Sequence, residues 1–333
     1  MISCAIDTDS NFSFNANGNV HDALNKRHQF SYTTITQLIN KLQSQYVVTD
    51  LDILSKDPAA HGLVSFTQGY ISKEQALSLL HRICNIDAAG KIRLQEEKIT
   101  IVQSLDLLPL VETRGEHILL DEHFSAESNA FDFRINALSE KLGKEWLSFI
   151  SIIKTISIVK MKSRVGLPYF SGSTTDYWGA IHMSNPAYES ILAESITHES
   201  AHFWLALVED NFELSTYTWE NPIYKSPWRE DLRPIGGIVH GVFVFACAIN
   251  ALVRLYIVSQ SDDDRERISS RICRLIAQVE AGVIELEKSA LLTKTGETII
   301  HSSYNNIKFA INLVDKSELT ANRKEVTKEQ SLK

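Results

Sequence analysis

The chain has 333 residues, 44% of them hydrophobic, enough to bury a sizeable core in one large domain or two. A net charge of -8 argues against a nucleic-acid surface or an anionic membrane as the main partner. The four cysteines, Cys4, Cys84, Cys247 and Cys273, show no C-x-x-C spacing, so neither a zinc knuckle nor a disulfide framework is expected. With no basic and apolar signal segment after Met1, the expected compartment is a reducing cytoplasm.

In chain order, residues 1–30 are polar and Asn-rich and read as irregular, with Phe12 and Phe14 docking on the body. Ile35, Leu38, Ile39 and Leu42 form one stripe of a helix expected over Thr33 to Leu54. A second helix is expected from Ser72 to Cys84, where Ser72 and Gln75 make a capping box and His81 reads as structural. Ile92, Ile99, Ile101, Val102 and Ile118 raise the β-branched content between Lys91 and Leu120, as short strands would. A long amphipathic helix over Ser128 to Ile150 completes an N-terminal, mostly helical region, 1–150.

Residues 151–319 carry the signals for chemistry. Ile156 to Met161 and Tyr177 to Met183 read as strands, the second leading into a helix with Asn185 as N-cap and Pro186 as first residue. His182 in that second strand reads as a structural residue. The helix carries His198-Glu199-Ser200-Ala201-His202, and two imidazoles four residues apart project from one helical face and can share a metal ion. Its apolar neighbours Ile191, Leu192, Ile196, Phe203, Leu207 and Val208 leave few directions for solvent, so the histidines must be buried or line a cavity.

In zinc peptidases the Glu of such a motif is the general base on a metal-bound water, and the third ligand separates the families. The metzincin pattern fails because Leu205 and Val208 stand where a Gly and a third His belong. The gluzincin pattern wants a Glu from a following helix, whereas Glu213, Glu220 and Glu230 lie in stretches that read as loop.

The run from Tyr224 to Pro234 is rigid and cationic, with Pro227, Trp228, Arg229, Arg233 and Pro234, and suits a carboxylate ligand. A helix apolar nearly all round follows, over about Ile235 to Ser259. Gly236, Gly237, His240, Gly241 and Asn250 interrupt it, so it reads as a central buried helix and not a membrane span. A buried His among small residues needs a partner, which makes His240 the third metal-ligand candidate. The remainder reads as an amphipathic helix from Asp264 to Ser289, a strand-like Glu297 to Ile300, a helix near Tyr304 to Val314, and a polar tail, 320–333.

Three blocks in order, His198 to His202, Ser226-Pro227-Trp228-Arg229-Glu230-Asp231-Leu232-Arg233-Pro234, and Gly236 or Gly237 followed by His240-Gly241, resemble the HExxH proteins of ribosomal peptide natural-product clusters. The resemblance covers about residues 180–260. It implies an iron(II)- and 2-oxoglutarate-dependent peptide β-hydroxylase on a peptidase-like scaffold, acting on a precursor peptide. His198, His202 and His240 would then hold iron, Trp228, Arg229 and Arg233 would serve the cosubstrate, and Glu199 would orient substrate. The alternatives are a zinc metallopeptidase with Glu199 as base and a non-catalytic, metal-containing peptide-binding protein. The expected fold is α+β and predominantly α: a zincin-like core with the HExxH helix beside a small sheet and a buried central helix.

Overall fold

A computed structural model describes residues 2–6, 12–16, 22, 23, 25–27, 29, 33, 100–102, 128–158, 169, 171–173, 178–216 and 219–332. The helix expected over Ser72 to Cys84, with His81, and nearly all of that over Thr33 to Leu54 lie outside these residues. Two compact units emerge, one of residues 1–20, 136–150 and 188–333, the other of 21–135 and 151–187. The described residues are predominantly helical with a small sheet.

The second unit holds that sheet, of four strands in the order β3 (Thr100–Val102), β4 (Thr155–Ile158), β6 (Ala180–Met183) and β5 (Ser171–Ser173). β3, β4 and β6 run parallel, and β5 pairs antiparallel with β6. All four residues of β6 are buried. Gly179 enters this strand with φ +82°, and its carbonyl accepts from the amides of Lys154 and Thr155. A side chain there would also press on the Ile152 carbonyl at 3.0 Å.

The first unit contains the motif. A hairpin of β1 (Ile2–Ile6) and β2 (Phe12–Ala16) stands where irregular chain was expected. The expected helix over 128–150 is split into α1 (Ser128–Leu142) and α2 (Lys144–Ile150) by Gly143, whose φ of +87° ends the first helix. α3 (Glu189–Glu209) carries the HExxH motif and starts at Tyr188 as N-cap, a turn later than Asn185. α2 backs it through Trp146, whose Nε1 donates to Thr197 Oγ1 at 2.8 Å, while Trp204 Nε1 returns to the Phe149 carbonyl at 2.7 Å.

α4 (Ile235–Val258) is long and apolar enough to cross a membrane, yet most of it is buried, packed along α3 and α5 (Asp262–Ser289). The acidic Asp262-Asp263-Asp264 is the first turn of α5, where carboxylates meet the positive end of the helix dipole and Ser261 Oγ accepts from the Asp264 amide. α6 (Lys294–Asn306) is a helix where Glu297 to Ile300 read as a strand, because Thr293 caps its first turn. α7 (Lys308–Leu313) and α8 (Lys316–Leu332) follow. The polar segment after Thr320 is therefore helical, with Leu319 and Val326 buried and Arg274 and Arg323 tying it to α5 through Glu329 and Glu280. Cys247 on α4 is disulfide-bonded, although the cysteine spacing implied no disulfide framework, and Cys273 is the free, buried cysteine among the described residues.

The chain leaving α3 is fastened to the start of α6: the Thr293 amide donates to the Leu214 carbonyl and Thr293 Oγ1 to that of Glu213. At Gly296 a Cβ would stand 2.0 Å from the Leu214 carbonyl oxygen. Gly296→Ala is therefore expected to force the two segments apart and destabilise the protein by about 1–3 kcal/mol, the cost of overpacking a closed contact. Urea denaturation measures it, and an unchanged midpoint would show that this junction has room.

Candidate functional site

α3 and α4 bring the three candidate histidines together. His198 and His202 lie one turn apart on α3, and their Nε2 atoms face each other at 3.1 Å. His240, in the second turn of α4, lies on the other side of the His202 ring, with Nδ1 3.0 Å from His202 Nδ1 and ring centroids 5.3 Å apart. The line continues to Glu209, the last residue of α3, whose Oε2 is 3.0 Å from His240 Nε2. Glu199 is buried beside His198, at 3% exposure.

A carboxylate only accepts hydrogen bonds, which sets the direction of the whole line when the rings are neutral. His240 donates from Nε2 to Glu209 and offers its Nδ1 lone pair to the Nδ1–H of His202. His202 then presents an Nε2 lone pair to His198. Because one imidazole cannot turn both nitrogens to the same ion, the arrangement is a line of donors: among the described residues no three His, Cys, Asp or Glu converge on one point. The donor set nonetheless fits a divalent transition metal. The two Nε2 atoms are at the separation of adjacent ligands, and neutral imidazoles suit iron or zinc. Drawing all three imidazoles onto one ion would exchange the His202–His240 contact for bonds to the metal.

The site's walls come from the loop and from α4. His198 packs edge-on against Phe245, which stacks on Trp228 at 5.2 Å. Trp228 fills the space between α4 and α5 above Gly241 and Gly282, where a Cβ would come within 2.3 and 2.8 Å of its ring. The H-G pair at His240-Gly241 thus has a packing reason. The loop is held by Gln278, which donates to the Pro227 carbonyl, and by Gln330 of α8, which donates to that of Ser226. Trp219, 59% exposed, lies over the outer side of His240 at 5.2 Å.

Burial pushes the His198 pKa down to about 3, helped by the positive charges of Arg271 and Arg229 and by His240. The ring is thereby kept neutral, the form that ligates metals. Of the two loop arginines, Arg229 is the one whose charge reaches His198. Arg233 forms an ion pair with Asp231 at 2.9 Å and lays its stem over Gly237. Arg271 of α5 was not a sequence candidate. It forks onto Glu194, one turn before His198, at 2.9 and 2.5 Å, a pairing across 77 residues that no local pattern announces. Glu209 was also missed, although it stands seven residues after His202 on the same helical face. Glu213, Glu220 and Glu230 lie outside helices, as expected.

No family model matches the chain, and no curated protein is significantly similar to it.

His182 belongs to the other unit, buried in β6 with no hydrogen-bond partner for Nε2, and burial pushes its pKa down from 6.5 to about 4. As pH falls, the unfolded chain takes up this proton first. The neutral ring therefore contributes its full stability above pH 6.5 and loses it progressively towards pH 4. His182→Gln should flatten the acid limb of the stability curve by about one proton, or ~1.4 kcal/mol per pH unit across that window. Urea titrations at a series of pH values test this, and equal slopes would mean that His182 protonates freely in the native state.

Proposed function

We propose that the chain is an iron(II)- and 2-oxoglutarate-dependent hydroxylase that adds one oxygen to the β-carbon of a residue in a ribosomally made precursor peptide. The supporting observation is the facing pair of Nε2 atoms of His198 and His202, 3.1 Å apart on a buried helix, with His240 adjacent. The motif helix against a central apolar helix is in keeping with a zincin-like core, and the three sequence blocks supply the preference for oxygenation over hydrolysis.

His198 and His202 would hold the ion, with His240 as the third protein donor. When bound, iron and 2-oxoglutarate supply an oxidant made from dioxygen; the cosubstrate leaves as succinate and carbon dioxide, and the peptide C–H becomes C–OH. The protein's own contribution is arrangement. Burial and the two arginines keep His198 neutral and able to donate a lone pair. Arg229 brings a planar cation to the same side and would hold the distal carboxylate of the cosubstrate. The aromatic wall of Phe245 and Trp228 excludes water beside His198. Glu199, buried on the same helix, would orient the substrate, whereas a zinc peptidase would need it as the base.

Reconstitution with iron(II) without air, followed by mass spectrometry of a precursor peptide encoded beside the gene, tests the reading. The expected product is intact peptide one oxygen heavier, with an equivalent of succinate, and His198→Ala and His202→Ala should each lose most bound metal. Arg229→Ala should raise the 2-oxoglutarate requirement about ten- to a hundredfold with metal content intact, from loss of a charged hydrogen bond worth ~1.5–3 kcal/mol. Cleaved peptide, or turnover independent of 2-oxoglutarate, overturns the hydroxylase in favour of the peptidase.

A further inference from the structure

We propose that Glu209 is a positioning residue of this metal site, holding His240 in the tautomer whose Nδ1 lone pair faces the His198–His202 pair. The inference rests on the reading of that pair as a metal site and adds a carboxylate that the motif does not contain.

Glu209 closes α3 on the face that carries His198 and His202, eleven and seven residues earlier, so the helix that presents the two imidazoles also presents the carboxylate. Its Oε2 lies 3.0 Å from His240 Nε2, with the two side chains 21% and 12% exposed. No other ion-pair partner of Glu209 occurs among the described residues, in contrast to Glu194, which is spent on Arg271. Its Oε1 is buried and makes no hydrogen bond. A carboxylate so placed has one use in the folded chain, to accept the Nε2–H of His240. That bond puts the proton on Nε2, removes it from Nδ1, and fixes the ring plane. Trp219 lies against the same ring, with its centroid 5.2 Å from that of His240. A carboxylate behind an imidazole is the usual way of orienting a metal-binding His and raising its basicity, and loss of such partners weakens metal binding on the order of 10–100-fold.

The test is calorimetric titration of the metal-free protein with cobalt(II) or zinc(II), for wild type, Glu209→Ala, Glu209→Gln, His240→Ala and the double variant Glu209→Ala/His240→Ala. Glu209→Ala should weaken binding about ten- to a hundredfold, Glu209→Gln, whose amide oxygen still accepts, should recover most of it, and the double variant should be no weaker than His240→Ala. Wild-type affinity in Glu209→Ala, no recovery in Glu209→Gln, or a double variant weaker than His240→Ala by the full Glu209→Ala factor overturns the proposal. Should Glu209→Ala fail to fold, the ring-nitrogen NMR shifts of His240 in the metal-free wild type decide: a proton on Nε2 supports the proposal and a proton on Nδ1 overturns it. Metal binding by wild type that is indifferent to His198→Ala and His202→Ala, or no binding at all, overturns the metal site itself, an outcome separate from failure of Glu209 alone.

Discussion

The burial of α4 is the constraint from which the rest of the motif unit follows. A 24-residue helix apolar on nearly every side must be covered on nearly every side, and α3 and α5 are the long helices that do it. Coverage by α3 brings His240 against the HExxH face. Coverage by α5 leaves a gap at Gly241 and Gly282 that Trp228 fills, and Trp228 in turn fixes the loop that carries Arg229. Packing of an apolar helix thus places an imidazole and an indole beside the motif face without either of them directing the fold.

Polar groups in such surroundings must answer one another. His198, His202, His240 and Glu209 do so as a line of hydrogen bonds running across two helices, in which each ring nitrogen in contact has one defined role. The same line leaves one lone pair, on His202 Nε2, directed at His198, so the hydrogen-bonded and metal-holding arrangements differ by a proton on His198 and by the His202–His240 contact. Glu194 and Arg271 complete each other nearby and hold α3 to α5, leaving Glu209 as the carboxylate turned towards the histidines.

Elements with a strong local signal were legible in the sequence. α4 and α5 were readable from apolar content and from amphipathic spacing, and α3 from its unbroken run, though its start was misplaced because Asn185 and Pro186 mimic a cap, whereas the helix begins after Tyr188, whose side chain makes no capping bond. The break at Gly143 was hidden, since the hydrophobic stripe continues across it while a left-handed φ does not show in periodicity. α6 was misread because Ile299 and Ile300 favour a strand locally, whereas the Thr293 cap and the contact of Gly296 with Leu214 decide for a helix. At the site, His198, His202 and His240 were readable from spacing and from the oddness of a buried His. Arg271 was not, because its role depends on a contact 77 residues away.

The loop shows how charge separates two residues that look alike in sequence. Arg229 and Arg233 both sit beside acidic neighbours, and composition alone cannot rank them. Arg233 spends its charge on Asp231 and its stem on Gly237, so its guanidinium adds little field at the histidines. Arg229 adds to the field of Arg271 at His198, with Arg271, which also pairs with Glu194, contributing the larger share. A divalent ion held by neutral imidazoles would raise that potential further, with Glu209 too far along the line to cancel it. Under the proposed reading, such a field would favour a ligand with two carboxylates, one for the ion and one for a guanidinium, over the neutral amide of a peptide awaiting hydrolysis, and that preference would link the SPWR loop to an anionic cosubstrate.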